Sequence, residues 1–168
     1  MLAISLVLVG ILLRFAPHAP NFTPVAAIAI FGGAYLNKKY AILVPLALMA
    51  ASDLFLGVHN VMLFTWGGFI LSALLGFWVR KHKSSLRILS ASLASALLFY
   101  LISNFGVWLM GWYPPTLGGL IRCYILGLPF LRNFTAATLL YTAVFFVAYE
   151  LIAGLVKNTK LAKVLLTN

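Results

Sequence analysis

The chain has 168 residues, 64% of them hydrophobic and only 8% charged, against roughly 25% charge in an ordinary soluble domain. Its mean hydropathy is +1.07. Long unbroken apolar runs exclude a β-barrel, whose strands alternate with a period of two, and point to an all-α membrane protein forming one transmembrane domain over residues 1–168. Twelve Lys and Arg against two Asp and Glu do not indicate nucleic acid, because the bases fall in short clusters between apolar segments, the pattern that orients membrane helices.

Residues 1–13 would rise roughly 20 Å as a helix, short of the ~30 Å hydrocarbon core. They lack the basic flank of a signal peptide and read as a short first span, with Arg14 snorkelling outward. A polar island follows, Arg14-Phe-Ala-Pro17-His18-Ala-Pro20-Asn21-Phe-Thr23-Pro24. Its prolines stiffen the backbone, and it carries a cation, an imidazole, an amide and a hydroxyl, as a preformed binding loop would. Residues 22–36 form a second short span, with Thr23 placed to cap it and Pro24 suited to its first turn. A re-entrant half-helix is the alternative for this segment. Ala29 and Gly33 make a small-xxx-small ridge where a partner helix could dock, with internal packing as the other use of such a ridge.

Asn37-Lys38-Lys39-Tyr40 reads as a basic turn. Residues 41–57 and 61–79 are the third and fourth spans, and 88–111 the fifth after the Arg80–Arg87 basic stretch. From Trp112 to Arg132 the prolines and glycines predict a loop with a short interfacial helix. Residues 133–156 are the sixth span, before a basic tail. With six spans, nine of the twelve bases share one side and Arg14, Arg122 and Arg132 lie on the other. Positive-inside then puts both termini in the cytoplasm of a cell (inner) membrane protein.

The unusual polar residues gather toward the outer side. Asp53, near the outer end of the third span, would cost on the order of 3 kcal/mol facing lipid. It is expected to pair with Arg14 or Arg122, either as the floor of an outward pocket or as a structural brace. Asn104, Trp108 and Trp112 stand at i, i+4 and i+8 on one helical face. With His18, Asn21, Thr23, His59, Tyr113, Tyr124 and Asn133, these residues make up the candidate substrate site. The aromatics also suit a purely interfacial anchoring role. Glu150, near the inner end of the sixth span, is expected to pair with cytoplasmic bases.

His18, His59, Asp53 and Cys123 are weak candidates for a metal set, since none is at ligand spacing within one element. The single cysteine excludes an internal disulfide and a multi-cysteine metal site. No phosphate loop, nucleophile elbow or paired carboxylates are present, so no catalytic residue and no cofactor is assigned. A membrane enzyme or metal-dependent redox protein built on those four residues is the alternative function. A structural partner subunit of a membrane complex is a third.

The runs R-F-A-P-H-A-P-N-F-T-P-V-A-A-I-A-I-F-G-G-A (14–34), S-D-L-F-L-G-x-H (52–59) and S-N-F-G-V-W (103–108) carry a resemblance, with G-W-Y-P-x-T-x-x-G-L (111–120) and C-Y-x-x-x-x-P-F-x-x-N (123–133). They are similar to a family of small bacterial membrane proteins described as transport proteins. That family in turn resembles the substrate-binding S components of energy-coupling-factor transporters. The resemblance implies six spans and outward capture of a small molecule, vitamin-like or metal-containing, with Arg14, His18, Asn21, Asp53, His59, Asn104, Trp108, Tyr113 and Tyr124 in the pocket. It also implies a transmembrane coupling subunit with ATPases as partner.

Overall fold

The computed structural model describes residues 1–17, 19–57 and 59–166. Among them the chain is all-helical: α1 (Leu2–Arg14), α2 (Val25–Tyr35), α3 (Lys38–Leu56), α4 (Met62–Lys81), α5 (Ser85–Val107), a π-helical turn (Trp108–Trp112), α6 (Leu117–Val156) and a short α7 (Ala162–Leu165). Among the described residues, three helices are long and apolar enough to cross a membrane: α4, α5 with its π turn, and α6. The shorter α1 and α2, of 13 and 11 residues, rise only about 20 and 16 Å.

The bundle is built around α2. All eleven of its residues are buried, and it touches α1, α3, α4, α5 and α6. A helix apolar on every side has no solvent or lipid face to offer, so it belongs at a core. Its small residues set how near its neighbours come. A Cβ added at Gly33 would collide with the Ala73 carbonyl and lie 2.7 Å from the Gly76 Cα, so α2 and α4 meet backbone to backbone. Ala29 is fully buried as well. The small-residue ridge is therefore consumed inside the bundle, and Ala29 and Gly33 do not form an outer docking face. Phe31 fills the space on the other side, with its ring centroid 5.8 Å from Phe145 and 5.4 Å from Phe146 of α6.

The two ends of the bundle differ in chemistry. At one end Arg80 donates from Nε and Nη2 to the Gly33 carbonyl at 2.8 and 2.6 Å, and from Nη2 to the Leu36 carbonyl. These are carbonyls at the C-terminus of α2, and a guanidinium there answers both their lone pairs and the helix dipole. Lys83 lies over the Tyr35 ring, 4.6 Å from its centroid. Tyr35 in turn donates to Glu150 Oε1 at 2.7 Å, so Glu150 is held by a tyrosine hydroxyl rather than by the bases expected of it. Asn37 caps α3, accepting from the Lys39 backbone N–H at 3.1 Å, and the helix starts at Lys38 inside the expected basic turn.

The largest departure from expectation is α6. The stretch expected to be a loop up to Arg132 is helical from Leu117, and α6 runs 40 residues, about 60 Å. Its glycines are contact points and not breakers. A Cβ at Gly127 would strike the Asn104 side chain, and one at Gly119 the Pro114 carbonyl. Pro129 sits within the helix, as apolar surroundings and neighbouring helices permit. The connection from α5 is only Tyr113–Thr116, with Gly111 at φ 83° turning the chain and Thr116 Oγ1 accepting from the Gly119 N–H at 3.1 Å.

Candidate functional site

The end away from Arg80 and Lys83 holds a cavity of about 230 Å³, lined in part by Arg14, Asn21, Thr23, Asp53 and His59. These five come from three separate stretches of sequence. Arg14 ends α1, Asn21 and Thr23 belong to the proline island, Asp53 lies in the last turn of α3, and His59 follows α3 directly. The island is held in place from outside, because Asn133 of α6 donates through Nδ2 to the Pro20 carbonyl at 3.2 Å. It turns tightly at Asn21, whose φ of 60° is one that asparagine tolerates better than most residues. The edge of the Phe22 ring meets Tyr141 at 5.9 Å.

Asp53 is 5% exposed, and its Oδ2 accepts from Trp66 Nε1 at 2.9 Å. Its negative charge acts on Arg14, which lines the same cavity. Arg122, the other expected partner, is exposed on the far part of α6 and does not line this cavity. Thr23 does not cap α2. Pro24 occupies the cap position, and α2 begins at Val25 without a side-chain cap. The Thr23 hydroxyl is instead sealed from solvent and makes no hydrogen bond, in a residue 8% exposed; His59 Nδ1 is likewise buried without a partner. Buried polar atoms are nearly always satisfied; these two lie on one cavity wall, while Thr138 Oγ1 and Thr142 Oγ1 of α6 are likewise without a partner away from it.

Beneath this polar wall the cavity is apolar, with Val25, Met49, Phe69, Phe99 and Phe134. Phe99 and Phe134 stack at 4.3 Å, and Phe69 lies 4.8 Å from Phe99. These residues and Trp66 were not among the sequence candidates. In a chain so rich in aromatics, nothing separates a cavity-lining phenylalanine from one facing lipid, and the 13-residue spacing from Asp53 to Trp66 matches no helical period.

The remaining candidates lie elsewhere. Asn104 lines an adjoining crevice of about 20 Å³ that shares Asn21, Phe99 and Phe134 with the main cavity. Its Nδ2 donates to the Tyr100 carbonyl at 2.9 Å. Trp108 and Tyr113 border a separate surface hollow of about 350 Å³ at the α5–α6 turn. Trp108 donates to the Pro114 carbonyl at 3.0 Å and Trp112 to Asn60 Oδ1 at 3.2 Å. The π turn and Gly111 break the i, i+4, i+8 face, so these tryptophans tie the turn together. Tyr124 donates to the Leu101 carbonyl at 2.8 Å, and Asn133 is the island's clamp. Cys123 is buried against α5, its thiol donating to the Asn104 carbonyl at 3.3 Å. Of the three weak metal candidates among the described residues, Asp53 and His59 meet in the cavity and Cys123 does not line it. No group of three His, Cys, Asp or Glu comes together among the described residues, and His18 lies outside them.

A family model spans residues 1–161. The chain belongs to the family of unknown function DUF6580. Comparison with curated proteins and with solved structures finds no match. In this DUF6580 protein the matched region contains α1 to α6 complete, and with them every residue of the cavity.

Proposed function

We propose that this protein is a polytopic protein of the cell (inner) membrane that captures a small molecule in the cavity under the proline island, for import. The observation that carries the reading is the cavity itself: a cation, a carboxylate, an amide, an imidazole and a sealed hydroxyl gathered over an aromatic floor. Concave sites with an apolar body and a few convergent polar groups are the usual form of small-molecule sites. An acid placed inside so apolar a chain is costly unless it is used.

Six membrane segments with both termini in the cytoplasm accompany this proposal. Arg80 and Lys83 cluster with Glu150 and the C-terminus of α2 at the end opposite the cavity, which positive-inside assigns to the cytoplasm. The cavity then opens outward. With no nucleotide-binding motif in the chain, the energy for import comes from a separate transmembrane coupling subunit with ATPases, the arrangement of the S components it resembles.

Native mass spectrometry of the gently purified protein beside Asp53→Ala tests capture. The expected result is a discrete small-molecule adduct on the wild type that is missing from the folded variant; an adduct retained equally by both overturns the site. For orientation, single cysteines at Thr116 and His82 in a Cys123→Ala background are to be labelled in intact cells. Thr116→Cys is expected to react from outside and His82→Cys only after permeabilisation, and outside labelling of His82→Cys would sink the topology.

A further inference from the structure

We propose that the apolar groove between α1 and α3 holds an acyl chain of an anionic phospholipid, whose phosphate sits at Lys38 and Lys39. The proposal rests on the membrane reading above and is independent of what the opposite cavity captures.

The groove follows from how the first three helices pack. α1 and α3 both lie against α2 and leave a slot of about 400 Å³ between them. Ile4, Leu8 and Ile11 of α1 form one wall, Tyr40 and Val44 of α3 the other, with Leu36 between them. Ile4, Leu8 and Tyr40 are each about half exposed. From Ile4 to Ile11 the slot runs along two turns of α1, about 10 Å. In a bilayer such a slot fills with hydrocarbon, and each buried methylene contributes about 0.8 kcal/mol against water. Its volume takes about a dozen methylenes, each close to the ~30 Å³ of a liquid water.

The polar groups lie at one end only. Asn37 lines the slot as the cap of α3, and the exposed Lys38 and Lys39 stand beside it. Arg80 donates to the Leu36 carbonyl, which places this mouth at the basic end of the bundle. α1 reaches the opposite cavity at Arg14, so Ile4 faces the basic mouth and Ile11 lies deeper. A chain seated here therefore carries its headgroup to the lysines. Basic residues at a membrane surface attract anionic lipid, and lysine and tyrosine both suit that level, with apolar stems and polar tips. The chain has two acidic residues: Asp53, bonded to Trp66 near the far end of α3, and Glu150, bonded to Tyr35.

A helix is the rival occupant. Helices that pack in membranes meet through small residues, which let backbones approach. Among the described residues lining the slot none is Gly, Ala, Ser or Thr. The bundle's own close contact, Gly33 on Gly76, shows the other kind of surface.

The test is native mass spectrometry of the full chain in detergent, titrated with phosphatidylglycerol or phosphatidylcholine of identical palmitoyl and oleoyl chains. Phosphatidylglycerol is expected to bind at least about tenfold more tightly, a difference of about 1.4 kcal/mol. Lys38→Gln with Lys39→Gln is expected to bring the two lipids within about threefold. Lys81→Gln with Lys157→Gln removes equal charge from exposed positions at the same end and is expected to leave the wild-type ratio. Leu8→Trp fills the slot from a half-exposed position and is expected to remove the tight adduct. Equal binding of the two lipids by the wild type overturns the proposal, and that comparison needs no variant. So does a preference that survives loss of Lys38 and Lys39, or a tight adduct that survives Leu8→Trp. A protein subunit or second copy released by Leu8→Trp would show a helix seat and overturn the lipid. Capture is read separately, by Asp53→Ala, and stands or falls apart from these results.

Discussion

Thr23→Val replaces a hydroxyl by a methyl group of nearly the same shape in a residue 8% exposed, whose oxygen makes no hydrogen bond. Most substitutions of buried residues destabilise. Here the sign is expected to reverse. Burying a hydroxyl without a compensating hydrogen bond costs about 1–3 kcal/mol on protein scales, and valine removes that cost without opening a cavity. Both residues are β-branched, so side-chain entropy changes little. The expected gain is about 1 kcal/mol at the lower end of that range, or roughly 2–4 °C in Tm for a chain of this size. Thermal unfolding of ligand-free protein in detergent, followed by tryptophan fluorescence, reads the shift. The same variant is expected to retain less of the native adduct, so stability and capture move in opposite directions. A Tm lowered by more than about 2 °C would refute the reasoning, because it would mean that the hydroxyl is satisfied in the folded protein.

Two glycine substitutions separate steric from conformational cost. Gly33→Ala drives a methyl group into the Ala73 carbonyl and the Gly76 backbone, neither of which can rotate away, and is expected to cost at least about 3 kcal/mol. Gly111→Ala meets nothing within 4 Å but must hold φ 83°, so about 1 kcal/mol is expected. Equal effects in denaturant or thermal melts would contradict the backbone contact between α2 and α4. Trp66→Phe removes the donor to Asp53 Oδ2 and keeps most of the ring volume. It is expected to weaken ligand retention by about 1–3 kcal/mol with little change in far-UV circular dichroism. Unchanged retention would remove Trp66 from the site.

The composition of the cavity wall could be read from sequence because polar residues are conspicuous in so apolar a chain. Arg14, Asn21, Thr23, Asp53 and His59 meet as the proline island and the end of α3 suggested. The capping role assigned to Thr23 failed because Pro24 takes the cap position, and that failure is what leaves the hydroxyl in the wall. The reading of 112–132 as a loop failed for a different reason. Proline and glycine break helices in water by exposing unpaired backbone, but inside an apolar bundle the helix has no competing partner for its amides. Gly119 and Gly127 instead permit close approach. The aromatic floor stayed hidden because only three-dimensional packing distinguishes Phe69, Phe99 and Phe134 from the other phenylalanines.

The burial of α2 has a consequence for how the protein is made. Eleven residues give a rise of about 16 Å, half of the ~30 Å core, so an insertion machine that recognises full-length apolar segments would not place this helix as a span of its own. In a membrane it would enter paired with α1, and its backbone contact with α4 lies some forty positions later in the chain. Assembly is therefore ordered. The cavity wall is completed late in the chain, because α3 contributes Asp53 and α6 contributes Asn133, which clamps the proline island. Truncation after α3 would leave α2 packed on α1 and α3 alone, without the α4 backbone it meets at Gly33, and would cost the cavity His59 and its aromatic floor, although Arg14, Asn21, Thr23 and Asp53 would already have been synthesised.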